Sequence, residues 1–98
     1  MKKTLAGAEN LEVIMSYVEI PPSTDLPPHY HPGEEFAYVL EGSGILQLEG
    51  EKDLIVKAGE AGLVPFKHHH SFSSTEEGVK VLVFRVHEKG QPERTLIN

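Results

Sequence analysis

The chain contains no cysteine, which rules out a disulfide framework, thiolate metal sites and zinc-finger arrangements. It has no tryptophan, and aromatic residues make up only 7%. No apolar run is long enough to span a bilayer. Basic residues are also sparse: nine Lys and Arg stand against fifteen Asp and Glu, a formal charge of −6. An acidic surface repels phosphate backbones, and no basic stripe with interleaved aromatics offsets it, so nucleic acid is not an expected partner. Helical periodicity, internal repeats and low-complexity tracts are all missing. The stretch from Met1 to Glu9 begins like a secretion signal, but its apolar part is short and Glu9 and Asn10 interrupt it. These absences lead to the expectation of a soluble, cytoplasmic protein that does not engage membranes.

What is present is a series of short β-rich runs between turn residues. They cover Leu11 to Ile20, Glu35 to Leu40, Ile45 to Leu48, Leu54 to Lys57, Gly62 to Phe66 and Val79 to His87. Pro21-Pro22, Glu41-Gly42-Ser43-Gly44 and Gly50-Glu51-Lys52-Asp53 punctuate them. Evenly spaced short strands with such punctuation predict an all-β fold, an antiparallel sandwich or barrel. Ninety-eight residues suffice for one domain, spanning 1–98. At 39% hydrophobic residues the core is thin, and a metal site or a dimer interface would supplement it. Two runs are apolar on both faces: Glu35, Ala37 and Val39 alternate with Phe36, Tyr38 and Leu40, and Val81 and Val83 alternate with Leu82 and Phe84. A small barrel has one interior, so the outer apolar face needs cover, and a homodimer is the expected cover. A second sheet or the N-terminal segment is the alternative.

The chemistry concentrates in His29-Tyr30-His31-Pro32-Gly33-Glu34-Glu35. In extended backbone, His29 and His31 point to one side. The Pro-Gly turn can then bring a carboxylate back to the same point. Two imidazoles and a carboxylate suit a divalent first-row transition metal. A further imidazole at His70 would leave one or two coordination positions for water or substrate.

The spacing resembles the cupin family. That family's first motif is a Gly, five residues, His-x-His, three or four residues, Glu, six residues and Gly. His29, His31, Glu35 and Gly42 fall at those intervals, with Ser23 where the leading Gly would stand. The second motif is a Gly, five residues, Pro-x-Gly, two residues, His, three residues and Asn. Gly59, Pro65 and His70 match it, while Lys67 replaces the middle Gly and Ser74 the Asn. The resemblance spans residues 23–74. It implies a jelly-roll barrel, a double-stranded β-helix, in which His29, His31, Glu35 and His70 hold one metal. Its register selects Glu35 over Glu34 as ligand, with a role behind the ligands as the alternative. It selects His70 from the run His68-His69-His70, with His68 as fallback ligand or base, since alternation turns His69 away. The ion would be Fe, Mn, Ni, Cu or Zn, which the ligand types do not separate.

Around that centre, Met15, Tyr17, Val39, Phe72 and Phe84 are candidates for a pocket wall, against the plainer reading as core. Gly42 is read as serving the hairpin turn. Tyr30 is expected to point away from its flanking histidines. Arg85 either neutralises an acidic substrate or forms a surface salt bridge, the second being the commoner fate of arginine. The site suits a metal-dependent enzyme acting on a small oxygenated molecule, dioxygenase-like ahead of isomerase or decarboxylase. The alternatives are a binding module for a metal or small ligand without turnover, and a purely structural metal. The motif names the site and not the reaction.

Overall fold

The computed structural model describes residues 1–30, 33–65, 68–91 and 95–96, the last two by backbone alone. Eight strands form one antiparallel, barrel-like arrangement: β1 (Lys2–Leu5), β2 (Ala8–Ile20), β3 (His29–Tyr30), β4 (Gly33–Leu48), β5 (Leu54–Lys57), β6 (Ala61–Val64), β7 (His70–Glu88) and β8 (Thr95–Leu96). The strand order β1-β2-β7-β3-β8 runs along one path, and β4 pairs with β5, β6 and β7. Among the described residues no helix is long and apolar enough to cross a membrane.

Two of these strands are longer than the sequence pattern suggests. The Gly42–Gly44 segment reads as a turn between two strands, yet β4 runs through it without a break. Its register against β7 shifts between Val39 and Glu41 and again between Gly42 and Gly44. Gly42 adopts φ 77°, and Gly78 on β7, close by, φ 70°. A side chain at Gly42 would meet the Gly78 carbonyl, so glycine is required there for close approach as well as for its backbone angle. Bulges at these points bend the two long strands together, and each serves both halves of the barrel. Gly42 is therefore part of a bend inside β4 and not of a hairpin turn.

The strand faces follow the alternation read from the sequence. Across β2, β7 and β4 the inward rows are Val18–Val81–Val39, Ser16–Val83–Ala37, Ile14–Arg85–Glu35 and Glu12–His87–Gly33. Ile20, Val39, Val79, Val81 and Val83 form the main core cluster. Leu46, Leu48 and Val64 form a second, and Phe72 packs against both. Phe36, Tyr38, Leu40 and Leu82 lie on the outer face, which no other strand covers among the described residues. Met15 and Tyr17 are on that face too, since even-numbered residues of β2 point inward. Beyond Gly90, the backbone of β8 pairs with β3.

Candidate metal centre

A ladder along β7 carries the first histidine into place. Ser23 N–H donates to the Thr75 carbonyl, Ser74 N–H to Thr24 and Leu26 N–H to Phe72. Asp25 bridges Ser73, and His29 then falls opposite His70. Ser74, which stands where the resemblance expects Asn, locks this run in place. Its buried hydroxyl donates to the Pro21 carbonyl at 2.5 Å and accepts from Thr24 N–H at 2.8 Å. Glu35 arrives from the other side, on the inward face of β4, opposite Arg85.

His29, Glu35 and His70 are all buried and lie together. The two imidazole rings are 4.2 Å apart between centroids and tilted by 60°. His29 Nδ1 is 2.8 Å from the Pro27 carbonyl, and His70 Nδ1 is 3.1 Å from the His68 carbonyl. A carbonyl only accepts, so each Nδ1 carries a proton, and a ring that is neutral has its lone pair on Nε2. His70 Nε2 lies 3.3 Å from Glu35 Oε2. A nitrogen lone pair and a carboxylate oxygen repel at that distance unless a proton or a metal cation binds between or beside them. This donor set fits a cation. Backbone carbonyls fixing Nδ1–H are also the usual way of orienting ligating histidines.

His31 lies outside the described residues, as do Phe66 and Lys67. Among the described residues no group of three acidic or imidazole donors is spaced to hold an ion by itself. The neighbouring histidines turn elsewhere. His68 Nε2 meets the Glu49 carbonyl at 3.0 Å. His69 pairs with the Glu49 carboxylate at 3.0 Å and stacks on Tyr30, their centroids 5.2 Å apart, which takes both rings away from the centre.

A cavity of about 350 Å³ opens beside His29, Glu35 and His70. Of the five candidates for its wall, each more readily read as core, Val39 and Phe72 line it; Met15, Tyr17 and Phe84 do not. Met15 and Tyr17 are exposed on the outer face, and the Phe84 ring packs edge-on against Phe36. Arg85 is the main correction. Its side chain is only 16% exposed, it lines the cavity, and Nη2 is 3.5 Å from Glu35 Oε1. The signal was available: Arg85 is in phase with Val81 and Val83, so the pleat that buries the valines also turns the arginine inward. A second buried pair, Glu12 and His87, went unremarked in the sequence because no motif marks it.

The barrel is shared with solved structures at low identity. DMSP lyase DddQ from Ruegeria pomeroyi DSS-3 is 22% identical, with a TM-score of 0.73 over 91% of this chain and 44% of its own. Oxalate decarboxylase from Bacillus subtilis is 23% identical, with a TM-score of 0.75 over 98% of this chain and 27% of its own. The polyketide cyclase RemF from Streptomyces resistomycificus is 28% identical, with a TM-score of 0.71 over 88% of this chain and 62% of its own. In sequence, the uncharacterized protein y4oW of Sinorhizobium fredii (strain NBRC 101917 / NGR234) is 30% identical over 74 residues. That match takes in 76% of this chain, which spans about a third (34%) of the relative. Residues 16–86 match the cupin domain, most of the chain and every strand from the middle of β2 to near the end of β7, and the chain belongs to the cupin family.

Proposed function

We propose that this cupin domain binds one divalent transition metal through His29, His31, Glu35 and His70 and acts as a metal-dependent enzyme on a small oxygenated molecule held in the adjoining cavity. The observation that carries the reading is the opposition of His70 Nε2 and Glu35 Oε2 at 3.3 Å, with the Nδ1 of His29 and of His70 already committed to a backbone carbonyl. His31 is the donor the reading still requires. When bound, the ion supplies Lewis acidity toward a carbonyl, enolate or water, and iron or manganese would add redox capacity toward dioxygen.

The chain's own residues have distinct roles in this reading. The carbonyls of Pro27 and His68 hold the rings in one tautomer and orientation. Glu35 offsets part of the cation's charge, and its other oxygen lies 3.5 Å from Arg85 Nη2. The apolar walls keep bulk water from the reacting group, which strengthens each electrostatic contact there. A cavity of about 350 Å³ beside the donors favours a substrate or ligand site over a metal that only staples the barrel. Lyase, cyclase and decarboxylase names among the similar structures fit a barrel that carries many chemistries, so the reaction is proposed as a class.

Metal analysis of protein purified without chelator tests the reading. One equivalent of a first-row divalent ion, lost in His29→Ala and in His31→Ala, is the expected result. Wild-type protein that takes up none at neutral pH removes the metal claim. Metal-loaded protein that binds small oxygenated molecules without converting any of them is a binding module.

A further inference from the structure

We infer that the cavity takes a small anion with an apolar body, and that Arg85 holds its charged end beside His29, Glu35 and His70. The inference deepens the metal reading and rests on it. Arg85 is the only cationic side chain lining the cavity among the described residues. It projects inward from β7 between Val83 and His87, with its side chain largely buried.

Its present partner uses little of it. A guanidinium offers five N–H donors. The contact with Glu35 is single and long, 3.5 Å from Nη2 to Oε1. Nε is buried and has no hydrogen-bond partner among the described residues. A buried donor left unsatisfied is costly, and guanidinium is built to take a planar oxyanion through two parallel N–H bonds. His87, the next inward residue, does not compete for that role because it faces Glu12 at 3.1 Å. Charge points the same way. Glu35 offsets one charge of a divalent ion and Arg85 adds one; Glu19 also lines the cavity but turns its carboxylate out to the Tyr17 hydroxyl, so the end beside His29 and His70 stays positive until an anion enters.

The other walls set the rest of the ligand. Leu46, Val64, Phe72, Val39, Val81 and Val83 face the same space. Its volume of about 350 Å³ is at the small end of the range for ligand pockets. A compact, wholly polar dianion would leave most of that apolar lining against trapped water. A carboxylate with a branched or aromatic body of several carbons fills it and removes apolar surface from water.

Calorimetric titration of nickel-loaded protein with 4-methyl-2-oxopentanoate tests this, with metal content measured beforehand on every sample. Pyruvate has the same head without the isobutyl group, and 4-methyl-2-oxopentanamide has the same body without the charge. Arg85→Met should keep its metal and weaken the keto acid about tenfold or more, while leaving the amide unchanged. Arg85→Lys should restore part of the loss, which a merely misfolded pocket would not. Pyruvate should bind the wild type more than about tenfold less tightly than the longer acid. Equal affinity of the keto acid for wild type and Arg85→Met overturns the role of Arg85, and equal affinity of pyruvate and the longer acid overturns the apolar body. No binding of the keto acid to metal-loaded wild type overturns both. Wild type that takes up no metal yet binds the acid with the same Arg85 dependence would sink the metal reading and leave this one standing.

Discussion

Glu12 and His87 face each other directly across β2 and β7, with Nε2 3.1 Å from Oε1 and both side chains nearly sealed from solvent. Neither atom has a partner in hydrogen-bond geometry among the described residues, so the contact is one of proximity more than of alignment. Lys2 reaches the same carboxylate oxygen at 3.4 Å from a largely exposed position, where solvent screens it and it adds little.

The pair sits in the last inward row that β2 and β7 share, next to the row that carries Arg85 and Glu35. Breaking it by Glu12→Ala leaves an imidazole buried without its counterpart and should destabilise the domain by about 3 kcal/mol. Replacing both partners, Glu12→Leu with His87→Phe, should recover most of that loss, because two well-packed apolar groups need no mutual charge. Urea unfolding of the three variants measures both effects. A Glu12→Ala domain as stable as wild type would show that the pair contributes nothing.

The histidine run offers a direct test of register. His70→Ala removes a ring whose Nε2 faces Glu35, and it should abolish stoichiometric metal uptake. His68→Ala loses a contact to the Glu49 carbonyl, and His69→Ala a surface pair with the Glu49 side chain and the stack on Tyr30, all away from the centre, so both should retain the metal. Uptake by the wild type should fall as pH is lowered, because protons compete for the same lone pairs. Titration with nickel or zinc, read by calorimetry, checks the series. If His68→Ala emptied the site and His70→Ala did not, the centre would be assigned one pleat out of register.

The legible parts of this fold are those that alternation controls. Glu35, Ala37, Val39, Val81 and Val83 share the inward face because a strand with period two leaves them no other choice. The same rule turned Arg85 inward, but a charged residue reads as surface until the cavity that receives it is known. The continuity of β4 through Gly42 and Gly44 was not legible, since two glycines flanking a serine signal a turn as readily as a bulge. Gly44 has a particular reason: a side chain there would collide with the Phe72 ring, a contact between residues far apart in sequence. The Glu12–His87 pair depends on register between β2 and β7, and nothing local encodes it. On β2 the pleat phase was open, which is why Met15 and Tyr17 were candidates for a wall they do not line.

Ser23 occupies a position where the cupin spacing has glycine, and it adopts φ 52°. That left-handed conformation costs a residue with a Cβ about 1–2 kcal/mol, which glycine avoids at some loss of unfolded-state entropy. Ser23→Gly should therefore stabilise the domain by about 0.5–1 kcal/mol. Its N–H bond to the Thr75 carbonyl survives the change, so the path of the chain to His29 should too. Thermal unfolding and metal affinity measured together check both parts. A lower melting temperature would mean that the serine hydroxyl contributes more than the backbone strain subtracts.

The outer face of the barrel makes the last prediction. Met15, Tyr17, Phe36, Tyr38, Leu63 and Leu82 stand exposed on four adjoining strands, with Tyr17 51% and Tyr38 47% accessible. A contiguous apolar patch of this kind marks an interaction surface. The charges at its border are already satisfied within the chain. The Tyr17 hydroxyl donates to Glu19 at 2.7 Å, a bond that raises its pKa above the usual phenol value. Lys80 lies 3.0 Å from Glu41, whose hydrogen bond and charge raise the Lys80 pKa and keep the amine charged. A rim with its charges paired offers little to a strongly charged partner, and the chain's negative net charge disfavours an anionic membrane. We propose that a second copy covers the face, in the two-fold arrangement commonest for like surfaces. Light scattering should give twice the chain mass at micromolar concentration. Leu82→Lys, at the centre of the patch and pointing away from the cavity, should give a monomer that still binds metal. A wild-type monomer under those conditions, or an unchanged dimer in Leu82→Lys, would place the interface elsewhere or remove it.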